Sequence, residues 1–94
     1  MTATFLWVVV YEVKDPARQE QVRNLLRFAG RRVQDCIYEV SATAARMRQL
    51  QDELSLHLDP EDGVRIYRVC ADCRGAAVLF GEGELLGRPA ALVI

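Results

Sequence analysis

Apolar and polar positions along the chain fall into short blocks whose spacing predicts a regular order of elements. Residues 5–13, FLWVVVYEV, hold eight apolar or aromatic side chains and one carboxylate, Glu12, before Lys14-Asp15-Pro16 ends the run. A block this short and this rich in Val, Tyr, Phe and Trp predicts a central strand rather than a buried helix. Alternation sends Phe5, Trp7, Val9, Tyr11 and Val13 to one face and Leu6, Val8, Val10 and Glu12 to the other, so both faces require cover.

Asp15 followed by Pro16 predicts a helix start, because Asp can accept from the orphan N–H groups and Pro is preorganised for the first helical position. The helix runs to about Ala29, with Val22, Leu25, Leu26 and Ala29 on one stripe and Gly30 as a left-handed terminator. Arg32 to Val40 reads as two short strands joined by a tight or bulged turn at Gln34-Asp35. Ser41 or Thr43 caps a second helix with a stripe of Ala44, Met47, Leu50, Leu54 and Leu58, and the turn Asp59-Pro60-Glu61-Asp62-Gly63 stops it. Val64 to Cys70 is the next strand. Strand, helix, strand, strand, helix, strand is the ferredoxin-like α+β arrangement, an antiparallel sheet with both helices on one face.

Beyond that fold, Ala76–Phe80 and Ala90–Ile94 read as one or two further strands. The chain is thus expected to form a ferredoxin-like domain over residues 1–80 and an extension over 81–94. The terminal strand of that extension pairs with an exposed sheet edge, in a partner or in the other protomer. With both helices on one sheet face, Leu6, Val8 and Val10 on the other need a second protein surface, which predicts a homodimer through the sheet faces.

Length and composition agree with one globular domain: 94 residues, 51% hydrophobic and 27% charged. No apolar run approaches the ~18 residues of a membrane span and the N-terminus lacks a secretory pattern, so the expected location is the cytoplasm, without membrane contact. Three cysteines, an odd number, argue for reduced thiols. The net charge is −1, but its distribution is uneven. Arg18, Arg23, Arg27, Arg31 and Arg32 face a single acid, Glu20, whereas Asp52, Glu53, Asp59, Glu61 and Asp62 cluster later. Eleven of the twelve basic residues are Arg, which suits bidentate phosphate contacts and equally suits a compositional bias of the genome.

Other candidate chemistry is sparse. Zinc needs four ligands and Cys70-x-x-Cys73 has no second pair, so no zinc is expected; the pair reads as a turn closing a strand end, against a metal shared across a dimer or a reactive thiol. His57, the single histidine, reads as a partly exposed helix residue. Gly81-x-Gly83 lacks the Lys and following helix of a phosphate-binding loop. Tyr11, Tyr38 and Tyr67 read as core or interface residues.

Several motifs in order resemble the CRISPR-associated protein 2 family. Tyr11-Glu12-Val13 stands where that family has Tyr-Asp-Ile, Asp15 and Arg18 match its next helix start, and Gly30, Arg32, Val33 and Gln34 match its Gly-x-Arg-Val-Gln segment. Tyr38-Glu39, Arg65-Ile66-Tyr67 and Cys70-Ala71-Asp72-Cys73 with Gly81-Glu82-Gly83 complete the series, over residues 5 to about 83. Cys36 stands where many members have Ser. The resemblance implies a ferredoxin-like homodimer of the spacer-acquisition machinery of antiviral defence. Such a dimer bridges two copies of the integrase, CRISPR-associated protein 1, and holds duplex DNA, here with Arg18, Arg31 and Arg32 on phosphates.

It also implies an alternative, a Mg²⁺-dependent endonuclease cleaving RNA or DNA, with Glu12 as catalytic residue and metal ligand in place of the family's Asp. Glu keeps the charge and moves it by roughly 1 to 1.5 Å, on a scale where ~1 Å of misplacement costs about a hundredfold in rate. Glu12 therefore has two readings, a structural carboxylate or a metal ligand. A regulatory ferredoxin-like domain binding a small metabolite is a further alternative, one that leaves the arginine cluster unexplained.

Overall fold

A computed structural model describes residues 3–78 and 80. Its elements run β1 (Thr4–Glu12), α1 (Pro16–Ala29), β2 (Gly30–Gln34), β3 (Ile37–Thr43), α2 (Ala44–Ser55), β4 (Gly63–Val69) and α3 (Ala71–Gly75). The four strands form one antiparallel sheet in the order β2-β3-β1-β4, the ferredoxin-like topology. The apolar run of residues 5–13 lies at an interior position, paired on one edge with β3 and on the other with β4.

The two faces divide as alternation requires. Val9 lies between Tyr38 and Ile66, Tyr11 opposite Val64, and Trp7 between Val40 and Arg68. The core joins Val9, Tyr11, Tyr38 and Val40 to the helix residues Val22, Leu26, Met47, Leu50 and Leu54, none more than 2% exposed. Leu25, Ala29 and Leu58 pack at its margin. At one end Trp7 Nε1 donates to the Ala42 carbonyl at 2.9 Å, and the Arg68 guanidinium lies 4.6 Å from the centre of the Phe5 ring. The Tyr38 hydroxyl is buried without a partner among the described residues, an uncompensated desolvation within the packed face.

Both helices begin where the sequence places them. The Asp15 side chain accepts from the Arg18 N–H at 3.0 Å with Pro16 at the first helical position, and Thr43 Oγ1 accepts from the Arg46 N–H at 3.0 Å. The β2–β3 connection carries the expected irregularity, a register shift between Arg32 and Gln34.

Two expectations are corrected. Gly30 does not end α1 in a left-handed conformation; its φ of −161° and ψ of −151° are extended, because α1 passes directly into β2 and Gly30 already pairs with Val40. Glycine is needed there for space, since a Cβ at Gly30 would stand 2.1 Å from the Glu39 carbonyl oxygen. Second, Ala76–Phe80 does not begin as a strand. The chain turns after β4 into the short α3, and the Ala76 N–H donates to the carbonyls of Asp72 at 3.1 Å and Cys73 at 3.2 Å. Those local bonds occupy the backbone that a strand would have offered, and Val78 and Phe80 are exposed. Ala90–Ile94 and Gly81-Glu82-Gly83 lie outside the described residues.

Candidate functional site

The face of the sheet opposite the helices is the candidate surface. β1 supplies its middle column, Leu6, Val8, Val10 and Glu12, and the pairing sets what lies beside each. Leu6 stands between Ser41 and Val69, Val8 between Glu39 and Tyr67, Val10 between Ile37 and Arg65, and Glu12 opposite Gly63. Arg31 pairs with Glu39 one strand further out. An apolar column thus runs between two mixed columns. Leu6 is buried, Val8 and Val10 are half-buried, and Tyr67 is 52% exposed. α1 and α2 lie against the opposite face, and at the Leu6 end Ala71 and Gly75 of α3 line a cavity with Leu6, which leaves Val8 and Val10 as the half-buried part of the column.

Glu12 marks one end of the column, and its neighbours fix its direction. On the helix side, the Tyr11 N–H donates to the Cys36 carbonyl at 3.0 Å and the Tyr11 hydroxyl donates to the Asp35 carbonyl at 2.9 Å. Burial pushes the Tyr11 hydroxyl above the ordinary phenol range, and the adjacent Arg23 opposes the shift. Val13 is buried and its carbonyl accepts from Gln19 Nε2. With both neighbours anchored inward, the Glu12 side chain is directed to the other face, where it is exposed. It lines a shallow depression of about 250 Å³ with Val10, Tyr11, Gly63 and Arg65. Among the described residues its carboxylate has no hydrogen-bond or ion-pair partner, and no group of three or more His, Cys, Asp or Glu side chains is placed to hold a metal ion. One carboxylate does not supply the several oxygen ligands of a Mg²⁺ site.

Tyr67 was expected as a core or interface residue without a face, and Arg65 was not expected on this surface at all. Counting alternate residues along β4 from Gly63, opposite Glu12, would have found both.

The three candidate nucleic-acid residues separate. Arg31 and Arg32 lie exposed on β2, and Arg32 Nη2 pairs with Asp35 across the β2–β3 turn. Arg18 is elsewhere and is engaged. Its Nε lies 2.9 Å from Asp62 Oδ2, its Nη1 3.0 Å from Asp59 and its Nη2 3.3 Å from Glu61. Asp62 is the innermost member, its side chain 1% exposed, and also accepts from the Asp59 N–H at 2.9 Å. The hydrogen bond from Arg18, followed by that backbone N–H, holds the Asp62 carboxyl below the ordinary carboxylate range, and the same pairing raises Arg18. Part of the late acidic cluster is therefore the counter-charge of the first arginine in the early basic one.

A family model described as CRISPR associated protein Cas2 matches residues 5–77. The CRISPR-associated endoribonuclease Cas2 1 of Chloroflexus aurantiacus is 30% identical over 79 residues, 82% of this chain and 85% of that protein. The crystal structure of Streptococcus pyogenes Cas2 has a TM-score of 0.70 at 27% identity, over 81% of this chain and 99% of that one. A chain of a partial Cas6-RT-Cas1–Cas2 complex has the same fold, with a TM-score of 0.70 at 24% identity over 94% of this chain and 98% of that one.

Proposed function

The chain belongs to the CRISPR-associated protein 2 family, and from that premise we propose that it works as a homodimeric scaffold in spacer acquisition, bridging integrase subunits and holding duplex DNA. The observation that carries this reading is the column Leu6, Val8 and Val10 on the sheet face away from α1 and α2, with Val8 and Val10 left half-buried among the described residues. An apolar stripe at the middle of a sheet is matched by the same stripe of a second copy, since a two-fold interface is self-complementary. Such a dimer duplicates Arg31 and Arg32, whose contacts to phosphate would position a duplex without reading its sequence. Arg18, held by three carboxylates, serves the fold in this reading. The integrase partner is supported by the family and by the named complex in which a chain of the same fold is found.

The test uses the protein assembled with its integrase. Arg31→Ala with Arg32→Ala should weaken duplex binding alike for all sequences and flatten the salt slope by about one unit for each phosphate no longer neutralised. Spacer acquisition should fall in parallel, while Glu12→Gln leaves it nearly intact. An unchanged slope in the double variant removes these arginines from the DNA surface.

A second reading, a divalent-metal-dependent ribonuclease, is favoured by the exposed Glu12 carboxylate, unpartnered among the described residues, and by the activity named in the Chloroflexus relative. It needs further oxygen ligands, which a second copy's carboxylate and water would have to supply. In that case RNA cleavage requires Mg²⁺ or Mn²⁺, is lost in Glu12→Gln and is kept in Glu12→Asp. Equal cleavage by wild type and Glu12→Gln excludes it.

A further inference from the structure

The scaffold reading makes no use of the two cysteines at the end of β4. Cys70 follows Val69, the last residue of the strand, and Cys73 lies in the first turn of α3. Both are exposed thiols. The turn brings them together: Cys70 Sγ accepts from the Cys73 backbone N–H at 3.3 Å, so the sulfur of the first cysteine already lies over the residue that carries the second. Cys70 stands just before the first turn of α3 and Cys73 within it, and the Cys73 thiol also hydrogen-bonds to Cys70, so the two sulfurs are neighbours. The third cysteine, Cys36, sits in the β2–β3 turn and is exposed, an internal reference on the same chain. Beside Cys70 a cavity of about 460 Å³ opens between Phe5, Arg68, Val69 and Ala71, large enough for one half of a small thiol compound.

We infer that Cys70 and Cys73 form a reversible dithiol site, converted to an intramolecular disulfide by a low-molecular-weight disulfide. Cys70 is the attacking sulfur. Hydrogen bonds from the Cys73 backbone and thiol stabilise its thiolate and hold it below the ordinary thiol range, whereas the same neighbour raises Cys73. The Cys70 thiol gives its proton to solvent, and its sulfur attacks one sulfur of the oxidant RSSR. A Cys70–S–S–R bond forms, the RS–SR bond breaks, and RS⁻ leaves and takes up a proton. The Cys73 thiol then loses its proton to solvent, and its sulfur attacks Cys70 Sγ, breaking the bond to R and expelling a second RS⁻, which is protonated in turn. Two electrons pass from the protein to the oxidant, and RSSR leaves as two RSH. A metal held by these thiols within one chain would need two more ligands, and the described residues offer none beside them.

The probe is oxidised glutathione, applied to the reduced full chain over a series of oxidised-to-reduced ratios and read by intact mass and peptide mapping. The expected product lacks two hydrogens on the peptide spanning Cys70 and Cys73 and reverts when the ratio is reversed. Cys73→Ser should stop at the mixed disulfide on Cys70, and Cys36→Ala should behave as wild type. At neutral pH, alkylation of Cys70 by iodoacetamide should exceed that of Cys36 by at least about threefold. The inference is overturned if Cys70 and Cys73 each collect glutathione without closing. Equal modification of Cys70 and Cys36 in Cys73→Ser overturns it as well. All three positions are exposed, and the wild-type mass measurement needs no variant to fold.

Discussion

Space, more than backbone conformation, determines the residue at position 30. An added Cβ would meet the Glu39 carbonyl oxygen at 2.1 Å and Val40 Cγ2 at 2.8 Å, both fixed by the pairing of β2 with β3. Gly30→Ala is therefore expected to destabilise the fold by roughly 3 kcal/mol, because the strands must part to admit a methyl group. Gly63 provides the control, since a Cβ added there would meet nothing within 4 Å. Gly63→Ala should shift a urea midpoint little, within about 0.5 kcal/mol of wild type. Equal midpoints for the two variants would show that β2 gives way freely. At this scale the sequence was informative wherever a side chain acts on its own neighbourhood. Glu12 stood out as the one carboxylate in an apolar run, and alternation alone gave it the correct face. Gly30 was recognised as necessary for the wrong reason, because the atom it avoids belongs to a strand that folds back on it.

Arg18 joins two elements that nothing local connects. It begins α1, and its guanidinium closes on the turn that precedes β4, through hydrogen bonds to a residue 44 positions away. The pH dependence of this clasp has a definite sign. Asp62 is held below its ordinary value of 3.8, so its contribution to stability is present above that value and is lost as the pH falls through the lowered one. Arg18→Ala should lower the melting temperature by several degrees at pH 7, and the gap to wild type should close as the pH drops below about 3.8. A gap that stays constant into acid would show that the arginine acts through packing alone. Element starts were legible because capping is local: Asp15 before Pro16 was read correctly, and of the two caps offered for the second stripe, Ser41 and Thr43, Thr43 is the one used. The partners of Arg18 were not, since charge clusters on a sequence do not say which of them meet. The short α3 was missed because its first turn is capped by a thiol, Cys70, outside the residue types that usually signal a helix start.

Among the described residues one sheet face is closed by α1 and α2 and the other leaves Val8 and Val10 half-buried, the feature on which the proposed dimer rests. Val8 lies at mid-column, between Glu39 and Tyr67. Val8→Arg should leave the protomer folded and convert a dimer at micromolar concentration into a monomer, as read by light scattering; a wild type that is itself monomeric there removes the scaffold reading. Fold order and sheet direction could be read from periodicity because each rests on alternation within one element. The terminal strand expected at Ala90–Ile94 was read the same way, yet its partner is a matter of three-dimensional placement. The strand order β2-β3-β1-β4 also has a consequence in time. The first strand to be synthesised is the one flanked on both edges by strands made later: Val10 waits for Ile37, and Leu6 waits for Val69. A nascent chain therefore carries its most apolar segment unpaired until most of the sheet has left the ribosome, the interval in which aggregation is most dangerous. Closure depends on contacts distant in sequence, so it is a late and comparatively slow event. Trp7, the only tryptophan, lies on that strand with its N–H on the Ala42 carbonyl. Its fluorescence dates the moment at which the first strand finds its neighbour.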